Sequence, residues 1–487
     1  MLQGIAHAFD DGGRYGTGCI PVYDAGDAAH QDRLLAVDLQ QGGVTVTAER
    51  KGNAMSTVRI QAARRRLDAA DAARENGFRA TPRIITRRRG ARVLLTDGDD
   101  RVSLAVARSL VSAGYDVHVT AAHHLSLAGV SRGVHAHYVR WHPLERPVDY
   151  AWGVGSLARR LDAEVLIPIS DESTESVLEN ADALPADISL PTPSLYAYRT
   201  VCDKALMLER AKSAGLGTPE TIVLPNRQAR NIPPEWFPIV LKPRRSVVSA
   251  EQMSVWGKRV KTSVAFVAKP EDLTAALARI PAAAFPVLAQ RRVQGAGVGI
   301  FLLRWNGEYV AEFAHRRIRE KPPAGGVSVY RESVPVDPVL GAAAKRLLDR
   351  LDWRGVAMVE CKRDETTGEP LFMEVNGRFW GSLQLAIDAG VDFPSLLVAC
   401  AFGRHLHPVT RYDTGIRGRW FWGDVDHLYL RLTKSPEALH LPPDEQSRAA
   451  IIRDFLRSRR GDREDVFRWL DPLPFAMESV RRLMWQG

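Results

Sequence analysis

The stretch that decides the fold is Gly355-Val356-Ala357-Met358-Val359-Glu360-Cys361-Lys362, followed by Thr366-Thr367-Gly368-Glu369 and then Leu371-Phe372-Met373-Glu374-Val375-Asn376-Gly377-Arg378. Two apolar runs around a short polar turn predict a β-hairpin. Its pairing brings Glu360 and Glu374 together, and the two-residue period of a strand puts Asn376 on the face of Glu374. Two carboxylates and an amide oxygen suit Mg²⁺, a hard cation that keeps substrate phosphates in its shell, with Mn²⁺ as the alternative ion. The competing reading is an ordinary hairpin with its acids turned to solvent.

Upstream, Phe237-Pro238-Ile239-Val240-Leu241-Lys242-Pro243 is an apolar strand that ends in a lysine. An ammonium group there is costly unless it meets an anion, and phosphate is the obvious one; an exposed edge charge is the alternative. The spacing of Val201, Ala205, Leu208 and Ala211 predicts one helix over Tyr198–Gly215 that carries Lys204, followed by a strand at Glu220–Leu224. Phe285–Val293 leads into Gly295-Ala296-Gly297-Val298-Gly299 and the strand Ile300–Trp305. This glycine cluster precedes a strand rather than opening a helix, so it reads as a turn and not as a phosphate loop. Farther on, His315, Arg317 and Arg319 alternate along a strand-like stretch, which puts them on one face and suits an anionic substrate. A charged, solvent-facing edge strand explains them equally.

The texture changes at Ala91. Arg92–Thr96 reads as a buried strand, Asp97-Gly98-Asp99-Asp100 as its turn, Arg101–Ala113 as a helix stopped by Gly114, and Asp116–Thr120 as a second, parallel strand. The turn is acidic and lacks GxGxxG, which disfavours a dinucleotide. Glu164–Ile169 and a helix through Glu179, with Ser170 or Asp171 as N-cap, repeat the design. His135, His137 and His142 lack acidic or cysteine partners at metal-binding spacing and read as ordinary strand and loop residues.

The rest of the chain mainly excludes. Its 487 residues suggest three or four domains, and 45% hydrophobic with 25% charged residues is a globular mixture. No apolar run approaches the ~20 residues of a membrane span, and the N-terminus has no secretory pattern, so a cytoplasmic protein without membrane insertion is expected. Cys19, Cys202, Cys361 and Cys400 are scattered and suggest neither disulfides nor zinc. The net charge of +9 is concentrated between Met55 and Gly90, in an Arg-rich stretch expected to be helical from Ser56 to Asn76. The alternatives there are a nucleic-acid or membrane-surface arm and a solvated tail; the tail is favoured, and nucleic acid is not expected as a partner. Residues 1–54 are rich in Gly and Asp and expected to be poorly ordered, and Met55 is a candidate start. In 406–487, Trp420, Trp422, Trp469 and Trp485 among Arg-rich helical patterns read as the packing of a C-terminal cap.

Taken together, the unit at 91–195, Lys204, Lys242, Gln290–Val293, Glu360 and the run Glu374–Arg378 resemble the ATP-grasp superfamily over roughly residues 91–405. The nearest members are the carboxylate–amine ligases related to biotin carboxylase and carbamoyl-phosphate synthase. The resemblance implies an α/β protein: a doubly wound pre-ATP-grasp parallel sheet (91–195), a two-lobed α+β ATP-grasp domain (196–405, small lobe and lid about 220–290), and a helical C-terminal extension (406–487), after an N-terminal segment (1–90). It further implies that Lys204 and Lys242 hold the nucleotide phosphates, and that Gln290, Arg291 and Val293 lie along the adenine. Glu360, Glu374 and Asn376 would ligate Mg²⁺. Arg378 would face the γ-phosphate and the reacting carboxylate, with Arg317 beside the substrate.

The implied activity is transfer of phosphate from ATP to a small-molecule carboxylate, then capture of the acyl phosphate by an amine. A bicarbonate-activating carboxylase and a non-catalytic nucleotide-binding protein are the alternatives, and a homodimer is compatible with either. Two departures stand out. The lid, Arg244–Ser249 and beyond to Lys258, is longer than usual, and Ala296-Gly297 stands where an acidic ribose ligand is expected.

Overall fold

The structure, a computed structural model, describes residues 90–487 except 124, 229–230, 250–257, 442–445, 458–461 and 485–487; ahead of residue 90 it describes the backbone of four strands. The chain divides into two compact units, Met1–Pro82 and Arg83–Gly487.

In the first unit, Gly18–Pro21, Leu34–Gln40, Gly43–Arg50 and Asn53–Ile60 form an antiparallel sheet in chain order. For these strands this corrects the expectation of little order and of a helix from Ser56, which instead pairs with Ala48, while the rest of 1–54 lies outside the described residues. The signal is the Val44-Thr45-Val46-Thr47 alternation. Residues 61–89, which hold the rest of the expected helix and the basic linker, lie outside the described residues.

The second unit opens with a four-stranded parallel sheet in the order Val134–Tyr138, Asp116–Ala121, Arg92–Leu95, Val165–Ile167. The Arg101–Ser112 helix ends where Gly114 adopts φ +86°, a conformation that a side chain disfavours. The Asp171–Glu179 helix starts with a capping box, Ser170 exchanging hydrogen bonds with Ser173. Where one helix is expected from Tyr198 to Gly215 there are two, Leu195–Val201 and Lys204–Ser213. Asp203 interrupts them, because its carboxylate accepts the Leu206 N–H as the N-cap of the second.

A seven-stranded sheet comes next, in the order Pro370–Asn376, Gly355–Arg363, Gly297–Trp305, Glu308–Lys321, Val327–Val334, Arg417–Arg419, Asp462–Glu464. The last two strands belong to the C-terminal extension, so the extension adds to the sheet edge as well as supplying the helices Phe421–Thr433, Arg448–Leu456 and Leu473–Met484. The small lobe is a separate antiparallel sheet, ordered Ala265–Val267, Ile239–Pro243, Val287–Arg291, Thr221–Leu224. Beside it, Val247–Ser249 pairs with Arg259–Lys261.

Four apolar clusters organise the unit, among them one that packs Leu94 and Leu166 of the parallel sheet against Tyr150, Val154 and Val177. Another runs continuously from Val93, Leu104 and Val117 of the parallel sheet to Phe301, Phe313, Trp380 and Phe393 beneath the seven-stranded sheet. A third packs Met207, Leu208 and Leu347 against Ile300, Val359 and Phe372. The small lobe has its own, around Ile239, Leu241, Leu277 and Val287.

Candidate active site

A cavity of about 1110 Å³ lies between these elements, with walls from the parallel sheet, the small lobe, the seven-stranded sheet and the C-terminal extension. The hairpin forms its floor. Glu360 sits directly opposite Glu374 across the paired strands, and Asn376 comes two residues later; all three line the cavity. Burial raises the Glu360 carboxyl, and the facing Glu374 adds to this against the pull of Arg317. For Glu374 burial also acts upward, but Lys204 and then Lys242 outweigh it and its carboxyl lies below the ordinary value. These oxygens suit a hard divalent cation, which would relieve the repulsion between the two carboxylates. Among the described residues no cluster of three or more His, Cys, Asp or Glu forms a metal site by itself. A cation bound here would therefore draw further oxygens from a ligand.

Lys204 stands at the start of its helix, its Nζ 3.6 Å from Glu374 Oε2 and donating to Ser246 Oγ at 2.7 Å. Asp203 beside it accepts from Arg244 Nε at 2.8 and 2.7 Å, and the Lys204 N–H donates to the Arg244 carbonyl at 2.9 Å, so the helix start is tied to the end of the small-lobe strand. Lys242 projects from that strand. Burial lowers its ammonium, and its one hydrogen-bond partner among the described residues is the Met373 sulfur at 3.9 Å. A sulfur is a poor substitute for an anion.

Arg378 donates to Asp171 Oδ2 at 2.7 Å, which joins the floor to the first turn of the Asp171–Glu179 helix. Burial works against the guanidinium charge, yet Asp171 holds it firmly protonated. Arg317 reaches Glu360 at 2.6 Å and Glu320 at 2.7 Å. The shared face expected for His315, Arg317 and Arg319 is kept by the first two, which pair in regular register, and lost at Arg319. Bulges flank Arg319; His315 is fully buried edge-on to Phe301, and Arg319 pairs with Asp424 and Asp454. The bulges re-aim Arg319, His315 is buried against Phe301, and of the three only Arg317 lines the cavity.

Gln290, Arg291 and Val293 line the opposite wall. The Gln290 amide is spent on Thr221 Oγ1 at 3.0 Å, and Arg291 pairs with Glu220 at 2.7 Å, so both side chains brace the segment between the lobes. The glycine cluster is a turn leading into a strand, with Gly295 at φ +134° and so close to the Arg363 carbonyl that a Cβ would lie 1.9 Å from it. His135 and His137 stack on His118, and His142 Nδ1 accepts the Leu144 N–H, all outside the cavity wall.

Sequence reasoning missed several cavity residues. Lys362 shares the strand face of Glu360, a period-two signal present in the quoted hairpin. Asp171 is read from sequence only as a helix cap. Asp100, Trp420 and Glu478 come together from distant segments, and nothing local announces it.

Residues 285–422 match a family model described as ATP-grasp in the biosynthetic pathway with Ter operon. No match was found among curated proteins. Among solved structures the chain is similar to a biotin carboxylase from Campylobacter jejuni (15% identity, TM-score 0.51, 67% of this chain and 74% of that one). It is also similar to an L-amino acid ligase from Bacillus licheniformis (15%, 0.51, 66% and 76%), and to N5-carboxyaminoimidazole synthetase from Staphylococcus aureus (13%, 0.50, 68% and 82%). At these identities the likeness is one of fold.

Proposed function

We infer from the ATP-grasp fold of this chain that it is an ATP-dependent ligase, which phosphorylates a small-molecule carboxylate and joins the acyl phosphate to an amine, releasing ADP and phosphate. The observation that carries the reading is Lys242: a half-buried ammonium group close to Lys204 and Glu374, with no oxygen acceptor among the described residues. A polyphosphate is the ligand that would satisfy both lysines at once. The staphylococcal synthetase has also been solved with ADP, which supports a nucleotide in this cleft.

In this reading Lys204 and Lys242 bind the phosphates, and the backbone of Gln290–Val293 borders the adenine. A divalent cation held by Glu360, Glu374 and Asn376 would neutralise phosphate charge. Arg378, held in place by Asp171, orients the carboxylate toward the γ-phosphoryl group, and Arg317 fixes Glu360. Phosphoryl transfer needs positioning and charge neutralisation more than a protein nucleophile, and the site offers these. The reading places the protein in the cytoplasm, where its nucleotide is abundant.

The test is ADP release in the presence of ATP, Mg²⁺ and a panel of amino acids and small peptides, with hydroxylamine replacing the amine. The expected product is a hydroxamate that depends on carboxylate, ATP and Mg²⁺ together. Release of AMP and pyrophosphate would overturn the mechanism, and turnover that requires bicarbonate alone would turn it into a carboxylase.

A further inference from the structure

Where the C-terminal extension meets the cavity, through Trp420 and Glu478, the wall holds polar atoms that no group among the described residues satisfies. Trp420 donates through Nε1 to Glu478 Oε1 at 2.8 Å, while Glu478 Oε2 is buried without a partner among the described residues. Trp380 is 2% exposed and Ser328 6% exposed, and neither the Trp380 Nε1–H nor the Ser328 hydroxyl has a partner among the described residues. Asp100 opens onto the same space, and no hydrogen bond or ion pair to its carboxylate occurs among the described residues.

These groups are held together. Arg101 donates to the Gly381 carbonyl at 3.4 Å and lies 3.7 Å over the Trp420 ring, and the Trp420 backbone N–H donates to the Val329 carbonyl at 2.8 Å, next to Ser328. Arg101 itself is committed to Asp465 at 3.1 Å, so it does not neutralise Glu478 by direct contact.

Buried polar atoms normally find partners, and a set left open along a cavity wall is complementary to something that enters it. The open acceptors, Glu478 Oε2 and the Asp100 carboxylate, call for a cationic donor. The open donors, Trp380 Nε1–H and the Ser328 hydroxyl, call for an oxygen. We propose that this end of the cavity is the subsite for the attacking amine, and that it takes a small zwitterion, an α-amino acid, with its ammonium at Glu478 and Asp100 and its carboxylate oxygen at Trp380 and Ser328. The proposal rests on the ligase reading and deepens it, since this subsite and the lysines of that reading line one cavity together with Arg378. Two electrostatic facts agree: Arg378 acts on both Asp100 and Glu374, and burial raises the Asp100 and Glu478 carboxyls, as expected of acids awaiting a cation.

The test is binding, separate from turnover. Full-length protein saturated with ADP and Mg²⁺ is titrated with each of the twenty proteinogenic L-amino acids, with its N-acetyl form and with its methyl ester, and the thermal midpoint is followed. At least one amino acid is expected to raise the midpoint while its N-acetyl form and its ester do not. Glu478→Gln should weaken that amino acid at least about tenfold, the scale of one charge-assisted hydrogen bond, with ADP affinity as the control for folding. Trp380→Phe, which removes one N–H and keeps most of the ring, should weaken it several-fold. No response to any amino acid, or an equal response to the N-acetyl form, overturns the subsite. Hydroxamate formation by the same preparation reports on the ligase reading independently: the subsite fails alone if hydroxamate forms and no amino acid binds.

Discussion

The two ends of the cavity are built on opposite plans. At the proposed phosphate end several charges are internally matched, Lys204 facing Glu374 and Glu360 facing Arg317, while Lys242 is left against a sulfur among the described residues. At the far end Glu478, Asp100, Trp380 and Ser328 are left open. A mutually supported set can hold its shape before a ligand arrives and present positive charge to it. An open set is silent until a partner of the right polarity fills it, which makes the first end general and the second selective.

That contrast can be broken by mutation. The largest effect is expected at the matched end. Glu360→Gln and Glu374→Gln should each cut ATP-dependent ADP release by at least about 10²-fold with the fold intact, because each removes charge from the cation-binding pair. Wild-type turnover in the double variant would remove the hairpin from the mechanism. Arg378→Ala should suppress hydroxamate yield by a similar factor while ADP affinity, measured by calorimetry, stays near wild type. Lys242→Ala should weaken ADP about tenfold and leave the midpoint of the free protein unchanged or higher, since it deletes a half-buried ammonium without an oxygen partner among the described residues.

Smaller effects sharpen the comparison. Asp203→Ala removes a helix cap and the Arg244 pair, and should cost about 1–2 kcal/mol in denaturant unfolding, with Asp203→Asn recovering the cap share. The smallest concerns pH. Burial, reinforced by Asp97, raises Asp100 to about 6. A carboxyl raised in the folded state favours folding below its ordinary value near 3.8, and that stability is lost as pH climbs through about 6. The Asp100→Asn variant should therefore match wild type near pH 4 and exceed it in thermal midpoint at pH 8. Equal midpoints at both would deny the strained carboxyl.

The same contrast explains what the sequence makes legible. The hairpin and Lys242 announce themselves because their signals are local: an apolar alternation around a turn, and a lysine at the end of an apolar strand. The Arg378–Asp171 pair joins residues 207 positions apart, and the Trp420–Glu478 contact links two elements of the extension; neither has a periodicity to betray it. The single helix read over Tyr198–Gly215 misleads because the apolar spacing continues across Asp203, while its carboxylate restarts the backbone hydrogen bonding. Arg319 misleads because period two fails at a bulge, and His315 because its place on the shared face is buried against Phe301, neither of which sequence shows. The Val–Thr alternation of Gly43–Arg50 is a local signal too, but the surrounding Gly and Asp outweigh it.

The distribution of apolar clusters bears on cooperativity. The parallel sheet has one core of its own around Leu94, Leu166 and Val177, but it shares a second with the seven-stranded sheet through Val93, Leu104, Phe301 and Trp380, and this shared core is expected to keep 91–195 from melting apart from the seven-stranded sheet. The small lobe, enclosing Ile239, Leu241, Leu277 and Val287 in a core of its own, is the natural unit of partial unfolding. In native-state amide exchange its strands should form a distinct class that opens below the global free energy and gains protection when nucleotide bridges Lys242 to the rest, whereas the amides of Arg92–Leu95 and Gly297–Trp305 should exchange together, as one body.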